Sequence, residues 1–194
     1  MKRGSRTAGF SLLELVVAMA VALVLIGIGM PSFLRAYHAY QLTNAASQLA
    51  DILRLTRYEA IRLNKKVNCL IQPDPGSPGV TDAFADSDGN LIPSPTEKII
   101  LLGAGGNIVD PGGVPGAGAL LPKANLPAGA ILATPATTSV AFDARGAVVS
   151  GNVTVFYLAS TLGPEAGYRA VVLLPAGSIE VWTGDGTGYW GQLR

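Results

Sequence analysis

Residues 4–33 read GSRTAGFSLLELVVAMAVALVLIGIGMPSF, and from Phe10 to Phe33 the only ionisable side chain is Glu14. The 21 residues from Phe10 to Met30 are almost unbroken in apolar character. As a helix they span about 32 Å, enough to cross the core of a bilayer. A secretory signal has a shorter apolar core, of roughly 7–15 residues, followed by a small-residue cleavage site. Ala18-Met19-Ala20 and Ala20-Val21-Ala22 imitate such a site, but the apolar run continues past both. The segment reads as a membrane anchor with the body of the chain outside. Lys2, Arg3 and Arg6 orient its start toward the cytoplasm. A carboxylate inside such a run is costly and implies a function and a cationic partner at the same depth. Residues 10–33 contain no such partner.

Outward from this run the chain is sparing with charge: 14% of its 194 residues are charged, and the formal net charge is +1. Setting aside the three basic residues before the run leaves 11 basic against 13 acidic side chains. A net of about −2 gives no general attraction for nucleic acid. The single cysteine, Cys69, excludes an intrachain disulfide and a cysteine-based metal cluster. Its residue type suits a small buried position in a strand.

Pro31 is expected to kink or interrupt the helix near the end of the span, since it lacks an N–H and clashes with the preceding turn. Beyond it Leu42, Ala46, Leu49, Leu53, Ala60 and Leu63 recur at helical spacing, with Thr56 filling the series. This amphipathic stripe suits a helix lying on a globular domain, and one long helix from about Ser11 to Asn64 is predicted. Arg54, Arg57, Arg62, Lys65 and Lys66 gather at its C-terminal end, where cations favour the helix dipole. After Asn64 the composition turns to strands: Val67–Ile71, Lys98–Leu102, Ser139–Phe142, Val153–Leu158, Tyr168–Leu174 and Ser178–Trp182. Ser150-Gly151-Asn152 and Pro175-Ala176-Gly177 are read as tight hairpin connections. Nine of the 13 prolines and 11 of the 24 glycines fall between Pro73 and Gly129, which is read as a loop-rich insertion in the β domain.

Gly9-Phe10-Ser11-Leu12-Leu13-Glu14 resembles the cleavage and methylation motif of type IV pilins and type II secretion pseudopilins: a basic leader ending in Gly, then Phe, with Glu fifth after the cut. Pilins of this kind also carry a proline near the place of Pro31. The resemblance implies that a prepilin peptidase cuts after Gly9 and methylates the new amine of Phe10. That cationic amine is the missing partner: it would pair with Glu14 of a neighbouring subunit, making Phe10 and Glu14 the assembly residues. Arg57-Tyr58-Glu59-Ala60-Ile61, with Asn64 and Val67, is similar to the helix end of GspH/FimT-type minor pseudopilins. Val140–Gly146, Tyr168–Val172 and Gly177 resemble the β domain of that branch.

The resemblance implies an α+β, type IV pilin-like fold, a long helix packed on an antiparallel β-sheet domain. The expected organisation is a leader at 1–9, a transmembrane and assembly helix at 10–31, and its amphipathic continuation at 32–66. A periplasmic β-rich domain occupies 67–194, with the Pro/Gly-rich loop at 73–129. The implied protein is a single-pass subunit of the bacterial inner membrane, with its N-terminus cytoplasmic, incorporated into a filament at or near the tip. Its partners would be the prepilin peptidase, other pilin or pseudopilin subunits and the inner membrane. The shared motif does not distinguish type II secretion from a type IV pilus.

Asp86, Asp88, Asn90 and Glu97 fall at positions 1, 3, 5 and 12 of a calcium loop. Leu91 stands where such a loop needs glycine, and Pro93 and Pro95 stiffen the second half of the segment. The residue types therefore favour a polar turn, and no metal is expected. No cofactor, small-molecule substrate or catalysis is expected either. His38 is a lone histidine, and HExxH, G-x-S-x-G and phosphate-loop patterns are missing. DNA is the alternative partner, because some FimT-type minor pilins bind it through an arginine-rich C-terminal G-R-x-R motif. This chain ends Gly191-Gln192-Leu193-Arg194, without the internal arginine. A structural, assembly-directed role is the favoured reading.

Overall fold

A computed structural model describes residues 11–193 apart from 75, 78, 79, 104, 128 and 137. The chain forms two compact units, one ending at Ala36 and the other starting at Tyr37. A single helix, α1 (Leu12–Leu63), runs through 52 residues, close to the predicted limits. The interruption expected at Pro31 does not occur, since the helix continues through it. One missing N–H removes a single hydrogen bond from a ladder that carries dozens. At its C-terminus the Lys65 N–H reaches back to the Ala60 carbonyl at 3.2 Å. Asn64 makes this closure by adopting φ 50°, a left-handed conformation that asparagine tolerates better than most residues.

In the first unit the apolar side chains of α1 are exposed on every side of the helix, from Leu12 to Leu34. In the second unit α1 buries one stripe: Leu42, Ala45, Ala46, Leu49, Ala50, Ile52, Leu53, Thr56 and Ala60. Thr56 fits there because its hydroxyl donates to the Ile52 carbonyl at 2.8 Å, so no polar group is stranded.

Among the described residues ten strands come after the helix: β1 (Val67–Pro73), β2 (Thr81–Asp86), β3 (Ile99–Leu102), β4 (Asn107–Ile108), β5 (Ile131–Leu132), β6 (Thr138–Phe142), β7 (Thr154–Ala159), β8 (Tyr168–Leu173), β9 (Ile179–Gly184) and β10 (Trp190–Gln192). A four-stranded sheet has the order β3-β2-β1-β6, antiparallel throughout. A six-stranded sheet has the order β10-β9-β8-β7-β4, and β5 adds two residues in parallel along β7. The α1 stripe packs with one face of each sheet in a single core, through Val67, Cys69 and Ile71 of β1, Val140 and Phe142 of β6, and Phe156 and Leu158 of β7.

The opposite face of the six-stranded sheet is also covered. A short helix, α2 (Ala117–Lys123), contributes Leu120 to a second core with Val155, Tyr157, Ala170, Val172, Trp182 and Trp190. Burial on both faces explains why β7 and β8 read as continuous apolar runs rather than as alternation. Two of the aromatic tips in this core find acceptors at the start of α2. Trp190 Nε1 donates to the Gly116 carbonyl at 2.9 Å and Tyr157 Oη to that of Ala117 at 2.8 Å. Gly116, at φ 67°, lies against Gly188, and a Cβ there would overlap the Gly188 backbone.

Two readings of the β domain need correction. The 73–129 segment, expected to be loop-rich apart from a strand at Lys98–Leu102, also supplies β2, β4 and α2. Ser150-Gly151-Asn152 is not a hairpin turn either, because β6 and β7 lie in different sheets. The chain reverses earlier, at Asp143–Ala147, where Asp143 Oδ1 accepts the N–H groups of Arg145 and Ala147, both at 2.9 Å. Val148 then bridges to Phe142 before the chain crosses over. The Pro175-Ala176-Gly177 hairpin does join β8 to β9, in the predicted antiparallel pairing.

Candidate assembly segment and acidic loop

Gly9 and Phe10 lie outside the described residues. Glu14 occupies the first turn of α1 and is exposed, and its N–H donates to Ser11 Oγ at 3.2 Å. Ser11 is therefore the N-cap and Glu14 the N3 residue, the S-x-x-E spacing of a capping box. This local role was readable in Ser11-Leu12-Leu13-Glu14. It gives Glu14 a favourable place in the helix dipole. It does not give the carboxylate a cation, and no ion pair of Glu14 occurs among the described residues. Around it the helix is long and apolar enough to cross a membrane, with a mean hydropathy of 2.7 in its most apolar window.

Within the second unit two arginines tie α1 to the β domain. Arg57 Nε donates to the Gly146 carbonyl at 3.0 Å. Gly146 and Gly177 both have φ 79°, and a Cβ on Gly177 would overlap the Gly146 carbonyl oxygen and crowd Arg57. Arg57, Gly146 and Gly177, far apart in sequence, thus meet at one point where α1 touches two turns. Arg169 on β8 is 8% exposed. Its guanidinium donates to Thr43 Oγ1 at 3.0 Å, the Tyr168 carbonyl at 2.8 Å and the Ala39 carbonyl at 3.4 Å. Burial lowers its pKa from the usual value.

Other basic side chains at the helix end are engaged locally. Arg54 pairs with Asp51 at 2.8 Å, Arg62 with Glu59 at 2.6 Å, and Lys65 donates to the Ser87 carbonyl at 2.7 Å. Arg194 lies outside the described residues. His38 has its Nδ1 4.0 Å from Glu165 Oε1, and no cluster of metal-ligating groups forms around it among the described residues.

Three of the four loop candidates come together, and the fourth, Asn90, donates through Nδ2 to Asp88 Oδ2 at 2.7 Å. Residues 86–97 connect β2 to β3, and ligand atoms of Asp86, Asp88 and Glu97 lie within 4.8 Å of one another. Asp86 Oδ1 accepts the Gly89 N–H at 2.8 Å, Asp88 Oδ1 the Asn90 N–H at 3.0 Å, and Asn90 Oδ1 the Ile92 N–H at 2.7 Å. Glu97 folds back over the loop, accepting the Ser87 N–H at 2.7 Å and the Ser94 N–H at 3.2 Å. Leu91 adopts φ 62°, the left-handed conformation for which glycine was wanted at this position.

A helix that exposes an apolar first half and packs its second half on antiparallel sheets defines a pilin-type subunit. The chain belongs to the family of the type II transport protein GspH, whose model matches residues 45–177. Residues 4–30 match the prokaryotic N-terminal methylation motif. Together the two matches define a type II transport protein with a pilin-type N-terminus. No curated relative matches the chain. Among solved structures it is similar to the type IV minor pilin FimU of Pseudomonas aeruginosa strain PAO1, in two crystal forms. One has 16% identity over 72% of this chain and 91% of FimU, with a TM-score of 0.45. The other has 15% identity over 78% and 93%, with a TM-score of 0.46.

Proposed function

We propose that this chain is a minor pseudopilin at or near the tip of a secretion pseudopilus or type IV pilus, assembled through its N-terminal helix. The observation that carries the reading is Glu14: one carboxylate in the first turn of a helix whose surrounding apolar residues are exposed on all sides. In this reading prepilin peptidase removes residues 1–9 and methylates Phe10. The helix of residues 10–31 then anchors the subunit in the inner membrane before it enters the filament, and residues 32–66 continue toward a periplasmic domain at 67–194. Inside a bundle of such helices Glu14 accepts the charge of a neighbour's Phe10 amine, and the apolar faces pack against one another. A buried pair of this kind fixes axial register, because displacement leaves both charges unpaired.

Glu14→Ala tests the pairing. Membrane insertion and cleavage are expected to persist, since a charge within an apolar helix opposes insertion by a few kcal/mol. Crosslinking to partner subunits should fall by at least about tenfold, consistent with removing one member of a buried pair at about 3–5 kcal/mol. Glu14→Gln should fail similarly, as it retains shape and loses charge. Incorporation of Glu14→Ala at the wild-type level would overturn the pairing.

A further inference from the structure

We propose that the β2–β3 loop, residues 86–97, is a calcium site that clamps this hairpin. Three carboxylates crowd within 4.8 Å, and the cation bound to the loop, Lys65, is exposed and donates to the Ser87 carbonyl rather than to a carboxylate. Acidic clusters on surfaces are common. What sets this one apart is Asp86: it is 2% exposed, and its Oδ2 is buried with no hydrogen-bond partner. A buried carboxylate oxygen normally has a partner, and an orphan of this kind identifies a missing one. The other oxygen, Oδ1, accepts from Gly89 within the loop, and a carboxylate oxygen of Asp86 lies within 4.8 Å of those of Asp88 and Glu97. The missing partner must bear positive charge, because three like charges at this separation repel one another.

The donor set is all oxygen, which selects a hard cation. Calcium takes about six to eight oxygens at about 2.3–2.6 Å in flexible geometry, whereas magnesium demands a near-ideal octahedron. Asp86, Asp88 and Glu97 supply carboxylates. Asn90 Nδ2 donates to Asp88 Oδ2 at 2.7 Å while its Oδ1 accepts the Ile92 N–H, so its amide must turn over to offer the cation an oxygen. These four side chains hold positions 1, 3, 5 and 12 of a calcium loop, and Leu91 supplies the positive φ needed after position 5. Two antiparallel strands rather than two helices flank the loop. Cation binding therefore fixes the β2–β3 hairpin in the four-stranded sheet.

The test uses the full-length chain in detergent micelles, freed of metal with EDTA and titrated with calcium chloride. Equilibrium dialysis should show saturable uptake of one calcium per chain, with a dissociation constant from about 10 μM to about 1 mM. At saturation the melting temperature should rise by about 2–8 °C over the value in EDTA, and magnesium chloride should give less than half that shift. Asp88→Asn preserves the exposed turn acceptor and removes one charge. It should melt at or above wild type in EDTA, because repulsion is relieved, and below wild type in calcium. Its calcium affinity should fall at least about tenfold, as expected when a charged ligand is lost. Asp86→Asn with Glu97→Gln should abolish uptake; should that double variant not fold, Asp88→Asn decides alone. Absence of saturable calcium uptake by wild type, or unaltered affinity in Asp88→Asn, overturns the proposal. Neither outcome bears on filament assembly, so the pseudopilin reading stands or falls separately.

Discussion

Cys69 shows how far packing alone can set the chemistry of one residue. It is fully buried in β1 against the α1 stripe, and burial pushes its thiol pKa up to about 12. A thiol attacks as its thiolate, so the folded protein should leave Cys69 inert at neutral pH. Ellman's reagent is expected to titrate less than about 5% of the thiol in the native state and all of it in guanidinium, since reaction requires unfolding. Rapid native-state labelling would show that β1 opens locally and that the core is looser than its burial implies. Asp143 is the opposite case, exposed but held in a turn. Its carboxyl lies below the usual range chiefly because it accepts the Ala147 N–H. That contribution is present above the ordinary carboxylate pKa and is lost as pH falls through the depressed one.

At the scale of elements, the junction of Arg57, Gly146 and Gly177 carries the coupling between α1 and the two turns that come after β6 and β8. Gly177→Ala places a methyl against the Gly146 carbonyl and requires φ 79°, which alanine disfavours. It should cost about 2–4 kcal/mol, combining left-handed strain with displacement of a neighbouring backbone. Arg57→Ala removes the hydrogen bond without the clash and should cost less, about 1–2 kcal/mol. Thermal unfolding of the two variants measures the order, and an equal or greater loss for Arg57→Ala would show that the arginine rather than the close approach holds the junction.

The same scale shows what was legible in the residues. Helix α1 and strands β1, β3, β6, β7, β8 and β9 were readable because each carries its own apolar pattern. Strand β2 was not: TDAFAD contains two aspartates, yet all six residues are buried because β1 and β3 flank it on both edges. Strands β4 and β5 are two residues each, shaped by the edge of β7 rather than by local propensity. Helix α2 hides behind Gly116 and Pro122, and its role is visible only once Trp190 and Tyr157 reach its first turn. At the acidic loop the spacing of the ligands was legible. The left-handed Leu91 and the orphaned Asp86 oxygen were not, since both depend on the folded backbone.

For the whole molecule, the assembly proposed above requires a charge that the uncut chain would not carry at the right place. In that reading Lys2, Arg3 and Arg6 precede Phe10 and would hold the uncut end on the cytoplasmic side. The proposed cleavage after Gly9 would place an amine on Phe10, four residues from Glu14. It would also remove three cations that would otherwise have to enter a bundle with the helix, a costly burial without partners. Mass spectrometry of the protein from its own membrane should therefore find a chain beginning at N-methyl-Phe10. Gly9→Val should leave the leader attached, because a branched side chain obstructs the scissile bond, while insertion is preserved by the intact apolar run. Such a subunit should accumulate in the membrane and be missing from filaments. Glu14→Ala should be missing from them too, but with its leader removed, so the two variants separate loss of processing from loss of pairing. If uncut Gly9→Val enters filaments as wild type does, the amine at Phe10 is not the partner of Glu14.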